Sequence, residues 1–166
     1  IVGIGRIGQA TAKMALGLGM KVIAADSFIP QVDIKVEFFD GQSITTTIVS
    51  QSLQSLFKEA DFITLHVPAQ DGYIIGEKEL AIMKDGVGIV NCARGGVIDE
   101  VALVKALDSG KVLFAGLDVF ESEPKPEMTI LMHHKISLTP HIGAATGEAQ
   151  DRIGTELASQ IISLLK

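Results

Sequence analysis

The stretch Ile1-Val2-Gly3-Ile4-Gly5-Arg6-Ile7-Gly8, followed about 20 residues on by Asp26, decides the fold of this chain. Three glycines in G-x-G-x-x-G spacing come directly after an apolar strand remnant, Ile1-Val2. They open an amphipathic helix over residues 7–18, with Ile7, Ala10, Ala12, Met14, Ala15 and Leu18 as its apolar positions. A second apolar run, 21–25, then ends at Asp26. Glycine triplets are common; the strand before, the helix after and the carboxylate beyond are what mark a βαβ unit built around a phosphate. In such a unit Gly3 permits the tight turn, Gly5 lets backbone approach a pyrophosphate, and Gly8 lets the helix pack closely on the strand. The backbone N–H groups of Arg6 and Ile7, at the positive end of the helix dipole, face the phosphates, and the Arg6 guanidinium can add to them.

Asp26 selects the cofactor. A carboxylate at the end of the second strand accepts hydrogen bonds from the adenosine ribose hydroxyls and repels a 2′-phosphate. An NADP site would place an arginine close by, and Ser27-Phe28-Ile29-Pro30 supplies none, so the expected cofactor is NAD.

Working outward, short apolar runs alternate with amphipathic stretches. Strands are expected at 1–4, 21–25, 61–66, 88–91, 113–118 and 135–138. Helices are expected at 7–18, 51–59, 77–83, 100–109 and about 148–165. Most strand runs are continuously apolar, as in central parallel strands buried on both faces. Asp99 reads as an N-cap and Gly110 as the residue just past a C-terminus. The alternation predicts an α/β fold, a doubly wound parallel sheet forming a single domain over 1–166. One segment interrupts it: 34–39 and 43–49, rich in β-branched and aromatic residues, flank Asp40-Gly41 and predict an inserted β-hairpin. It reads as a surface excursion without function. The apolar face of the last helix (Ile153, Leu157, Ile161, Ile162, Leu165) is expected to pack against the sheet, and against a neighbouring domain in a complete protein.

Composition sets outer limits. The chain has 166 residues and a formal net charge of −6, which argues against attraction to nucleic acid or acidic membranes. Apolar residues make up 47%, yet no run approaches the roughly 20 needed to span a bilayer. One cysteine excludes an intrachain disulfide framework and suits a cytoplasmic location. No signal peptide is evident, and the opening Ile1-Val2-Gly3 suggests a first strand entered part-way.

Three segments at expected strand ends carry the chemistry. Asn91-Cys92-Ala93-Arg94-Gly95-Gly96 follows the fourth strand. Asp118-Val119-Phe120-Glu121-Ser122-Glu123-Pro124 follows the fifth, and Leu138-Thr139-Pro140-His141-Ile142-Gly143 the sixth. Ligands of open α/β sheets bind at these carboxyl ends. One Arg, two Glu and one His therefore share an edge with the glycine turn. Cys92 reads as core rather than nucleophile. His133-His134 has no carboxylate or cysteine at ligand spacing and reads as a solvated turn, so no metal site is expected.

Over almost its whole length the chain resembles the cofactor domain of the D-isomer-specific 2-hydroxyacid dehydrogenases. The resemblance is carried by the glycine turn, His66-Val67-Pro68, residues 91–100, Gly116-Leu117-Asp118-Val119-Phe120 with Glu123-Pro124, and Thr139-Pro140-His141-Ile142-Gly143. Gly143-Ala144-Ala145-Thr146 with Glu148-Ala149-Gln150 points to the phosphoglycerate-oxidising branch. After His66-Val67-Pro68 the chain departs from the family with Ala69-Gln70-Asp71-Gly72. The resemblance implies a Rossmann-type domain and hydride transfer between NAD and a D-2-hydroxy acid, with 3-phosphoglycerate and serine biosynthesis the leading reading. Glyoxylate or hydroxypyruvate reduction and an NAD-sensing, corepressor-like binding protein are the alternatives. It implies a catalytic triad of Arg94, Glu123 and His141. Histidine ordinarily titrates near neutrality and suits a proton leaving a hydroxyl; Glu123 would orient the ring, and the Arg94 fork would hold the substrate carboxylate. Cofactor contacts are implied for Gly3, Gly5, Arg6, Ile7, Gly8, Asp26, His66, Val67, Pro68, Cys92, Ala93, Arg94, Asp118, His141, Gly143 and Ala144, with Asp118 near the nicotinamide. The family's substrate domain, expected to be absent from this chain, would close over the site, leaving the piece itself with little turnover. Family members dimerise through this domain, so a homodimer is expected.

Overall fold

The computed structural model describes residues 1–165. Its centre is a parallel sheet of β3 (Phe62–Leu65), β4 (Val87–Asn91), β5 (Val112–Leu117) and β6 (Ile136–Leu138), in that spatial order. Isolated bridges carry the sheet past β3: Val2 lies parallel to Leu65 on one side and to Ala25 on the other, and Ala24 lies parallel to Ser50. The order therefore reverses between Val2 and β3, and the glycine turn leaves from that point, where open α/β sheets bind ligands.

The expected strands at 1–4 and 21–25 are single bridges rather than full strands. A short ladder joins them: Ala25 N donates to Ile1 O, Gly3 N to Ala25 O, and His66 N to Val2 O. The hairpin is present and longer than expected, with β1 (Gln31–Glu37) antiparallel to β2 (Ser43–Val49). It is also more than a surface excursion. Alternation turns Ile34 and Ile48 inward, each 4% exposed, into a cluster with Ile1, Ile4, Ala12 and Ala24. The hairpin lies against α1 (Arg6–Gly17) and supplies the Ser50 edge beside Ala24.

On one face of the sheet α2 (Leu53–Glu59), α3 (Glu77–Ile82) and α4 (Glu100–Ser109) pack side by side, α4 against β5. Beneath them Leu56, Phe57, Ile63, Leu65, Ile89, Leu103, Leu107 and Ala115 form the main core. Ser52 caps α2, accepting from Ser55 N, so that helix starts after residue 51. Asp99 caps α4 by accepting from Ala102 N, and Gly110 ends it at φ +80°. A short α5 (Met128–Leu131), not expected from the sequence, precedes β6.

The other face departs from the expectation of strands buried on both sides. Phe62, Leu113 and Phe114 are exposed there, the two phenylalanine rings 6.2 Å apart over Gly88. The helix expected to cover such a face, α6 (Gly147–Leu164), buries none of its residues. Ile153, Leu157, Ile161, Ile162 and Leu165 all stay exposed, because α6 leaves the sheet after the 139–146 loop instead of returning across it. Its tie to the body is a bidentate pair in which Arg6 donates to Glu156 at 2.8 and 3.0 Å. Among the described residues no helix is long and apolar enough to cross a membrane.

Candidate active site

Gly3 adopts φ +87°, and a Cβ on it would stand 2.3 Å from His66 O; one on Gly8 would stand 2.1 Å from Gly3 O. Both glycines are fixed by backbone contact at the reversal point. A Cβ on Gly5 would meet nothing within 4 Å, so that position faces open space. Gly5 caps α1 without a side-chain bond, and the first turn holds no acidic residue. The N–H groups of Arg6 and Ile7 are therefore left for an anion. Next to them runs a groove of about 1050 Å³ lined by Gly3, Gly5, Asp26, Phe28, His66, Val67, Pro68 and Gln70, among others.

Asp26 does more here than the sequence suggests. Its Oδ2 accepts from Ile4 N at 2.8 Å, and its Oδ1 from Phe28 N and Ile29 N at 2.8 and 3.0 Å. Burial opposes its charge, but these bonds hold its carboxyl below the usual aspartate value. Three of roughly four acceptor positions are thus spent on the turn, which leaves about one for a ribose hydroxyl. His66 contributes backbone to the glycine turn, and its Nε2 lies 3.1 Å from Thr64 Oγ1. Burial holds its ring below the usual value. Arg6, expected at the phosphates, is engaged by Glu156 through an exposed pair.

The loops after β4, β5 and β6 emerge side by side from neighbouring strands. After β4, the buried side chain of Asn91 closes the loop: its Oδ1 accepts from Ala93 N at 3.0 Å and its Nδ2 donates to Arg94 O at 2.9 Å. The Arg94 guanidinium donates to Ala93 O at 2.7 Å and, among the described residues, hydrogen-bonds neither Glu123 nor His141. Cys92 is exposed, contrary to the expected core position. Partial desolvation and then the Asp118 charge push its thiol up, so it remains a poor nucleophile.

Glu123 and His141 come together. Nδ1 of His141 lies 2.7 Å from Glu123 Oε2, and Glu123 Oε1 accepts from Phe120 N at 3.0 Å. The His141 bond, then the Phe120 N–H, hold the Glu123 carboxyl below its ordinary value. An ionised carboxylate can only accept, so the proton of this bond sits on Nδ1 and leaves Nε2 for a substrate.

His141 has φ +55°, the left-handed region a histidine seldom occupies. Asp118 holds it there. This residue is 2% exposed; its Oδ1 accepts from Thr139 Oγ1 at 2.5 Å and Ile142 N at 2.8 Å, and its Oδ2 accepts from Gly143 N at 2.7 Å. The carboxylate expected near the nicotinamide thus fastens the histidine loop, with Ala144 exposed just beyond. Burial raises the Asp118 carboxyl, but the Thr139, Ile142 and Gly143 bonds outweigh it and hold the value below 3.8. A depressed carboxylate stabilises the loop above its unfolded value and loses that effect as pH falls through the folded one. The amide resonances of Ile142 and Gly143 should therefore titrate together with a midpoint below 3.8. A midpoint at or above that value would contradict the clamp.

Sequence reasoning assigned no role to Asn91, and it missed Thr139 and the part Asp118 plays in the loop. The one available signal was a polar side chain ending an apolar strand, which says that a bond is needed but not to what.

A family model described as the D-isomer specific 2-hydroxyacid dehydrogenase, NAD binding domain, matches residues 1–143. The chain belongs to this family. It is 48% identical to a hydroxypyruvate reductase of Thermotoga maritima, over 99% of the chain and 52% of that protein. It is 44% identical to a D-3-phosphoglycerate dehydrogenase of Methanocaldococcus jannaschii, over 100% of the chain and 30% of that protein. The crystal structure of a glyoxylate reductase from Paecilomyes thermophila superposes with a TM-score of 0.82 at 39% identity, over 99% of this chain and 48% of that one. The chain spans about half the length, or less, of these relatives. It is an NAD-binding domain with a Rossmann-type fold, of a family of oxidoreductases, and the open cradle at Gly5 beside Asp26 fits that cofactor.

Proposed function

We propose that Arg94, Glu123 and His141 are the triad with which the whole protein interconverts a D-2-hydroxy acid and its 2-oxo acid. The 2.7 Å bond between His141 Nδ1 and Glu123 carries this reading. NAD, which the Gly3–Gly8 turn and Asp26 would hold, would supply the hydride acceptor for oxidation and, as NADH, the hydride donor for reduction. His141 Nε2 takes the hydroxyl proton as the carbon is oxidised and gives it back in reduction. Glu123 keeps the ring in the tautomer that leaves Nε2 free, and Arg94, swung away from Ala93 O, holds the substrate carboxylate through its fork. The groove between Gly3 and Pro68 takes the adenosine half; Cys92, Ala93, Gly143 and Ala144 border the nicotinamide half.

Glyceric-acid-type substrates, 3-phosphoglycerate first among them and with it a place in serine biosynthesis, are supported by the 143–150 motif and by the Methanocaldococcus relative. Hydroxypyruvate or glyoxylate is a second reading, favoured by the Thermotoga relative. Assaying the whole protein with NAD and 3-phosphoglycerate, D-glycerate, glycolate and D-lactate separates them, since one should exceed the others in kcat/KM. A substrate-closing domain in the part of its relatives' length that the chain does not span would leave the 166-residue chain with little turnover of its own. The exposed Phe62, Phe114 and α6 surfaces support a homodimer through this domain, and a monomeric sedimentation profile at micromolar concentration would refute it. The lone cysteine supports a cytoplasmic setting.

NAD binding by this chain is open to direct titration. Asp26→Ala should weaken NAD by about 10–100-fold, as expected for a hydrogen bond to a charged acceptor. An unchanged NAD affinity in a folded variant would remove Asp26 from the site.

A further inference from the structure

Glu100 and Glu121 lie outside the triad, yet each carboxylate is bonded to the other's backbone. Glu121 Oε1 accepts from Glu100 N at 2.9 Å, and Glu100 Oε1 accepts from Glu121 N at 2.8 Å. Glu121 Oε2 also accepts from the Tyr73 hydroxyl at 3.2 Å. Glu100 is 8% exposed, a position where an unpartnered carboxylate is costly. Burial pushes its carboxyl up, opposed by the Glu121 N–H and reinforced by the Glu121 charge. The first N–H of α4, which the helix itself cannot satisfy, is met by the Glu121 carboxylate at the positive end of the helix dipole.

The exchange joins the two loops that matter. Glu100 opens α4 just beyond the Arg94 loop, and Glu121 lies between Phe120, whose N–H holds Glu123 Oε1, and Glu123 itself. On the other side of the same turn Gly95 abuts Phe120 O. The turn carrying Glu123 is therefore pinned at Phe120 by Gly95 and at Glu121 by Glu100.

We infer that Glu100 and Glu121 are positioning residues, whose exchanged bonds clamp the Arg94 loop to the Glu123 loop and thereby set Glu123 against His141. This rests on the reading of Glu123 and His141 as the proton-handling pair. Without the Glu100 acceptor, Glu121 N is released, the turn loosens, and Glu123 spends less time bonded to the histidine. Glutamine at 100 retains a carbonyl acceptor for Glu121 N and should restore the arrangement.

The test is a carboxyl-carbon NMR titration of Glu123 in the 166-residue chain, with Glu100→Ala, Glu100→Gln and His141→Asn compared to the parent. The parent midpoint should fall below 4.5. In Glu100→Ala it should rise by about 0.5 pH unit or more, and in Glu100→Gln stay near the parent. An unmoved midpoint in Glu100→Ala, or equal shifts in both variants, overturns the clamp. If Glu100→Ala does not fold, Glu121→Ala removes the reciprocal bond from an exposed position and is read the same way. His141→Asn should raise the Glu123 midpoint whatever Glu100 does. If it does not, the dyad rather than the clamp has failed.

Discussion

Replacing His141 by asparagine in the whole protein should lower kcat by about 10²–10⁴-fold, the usual contribution of a positioned acid–base group. The melting temperature should stay close to that of the parent. Asparagine is the informative substitution because residue 141 sits at φ +55°. Asn enters the left-handed region readily, whereas alanine there costs roughly 1–2 kcal/mol of its own. His141→Asn therefore removes the ring without disturbing the loop that Asp118 fastens, and the loss can be assigned to proton transfer. Steady-state kinetics paired with a thermal melt check it. A variant that turns over at the parental rate would take His141 out of the chemistry, and one that melts far below the parent would show that the ring also supports the fold.

Gly95→Ala should be the most damaging single-methyl change near the site. An ideal Cβ at residue 95 would lie 1.8 Å from Phe120 O and 2.5 Å from Phe120 C. Both contacts are with backbone, so no rotamer change relieves them, and the Arg94 and Glu123 loops must separate. Overpacking of this kind costs about 3 kcal/mol, which for a domain of this size lowers Tm by about 6–12 °C. Phe120 is buried and donates its N–H to Glu123, so the displacement passes straight to the His141 pair. The adenosine groove at Gly3 and Asp26 is built by other strands, and NAD should still bind at that end. Calorimetry and NAD titration on the same sample test both halves. A parental Tm in Gly95→Ala would mean that the two loops have slack the geometry denies.

The elements that could be read from sequence are those whose cause is local. Asp40-Gly41 between β-branched runs marked the hairpin, and Asp99 and Gly110 marked both ends of α4 within a residue. The glycine turn was legible because its spacing is set locally, Gly8 abutting Gly3 O, even though Gly3 also meets His66 from a distant strand. What stayed hidden depends on distant partners. Asp118 finds Thr139, Ile142 and Gly143 from 21 to 25 residues away, and nothing in the order of residues distinguishes that carboxylate from one facing a cofactor. The hairpin's alternation announced two strands but not that Ile34 and Ile48 would replace a helix under α1. Apolar strands likewise predicted cover on both faces, while Phe62 and Phe114 show that apolar character states a preference for burial and does not supply the partner.

The left-handed backbone at His141 also bears on how such a site can change over generations. Histidine and asparagine codons differ in their first base alone, and asparagine is among the few residues at ease in that conformation. On the proposed reading of His141 as the acid–base group, one base change there would yield a chain that keeps its loop and loses its proton carrier. Such a chain would still offer its glycine turn and groove to the dinucleotide while no longer consuming it.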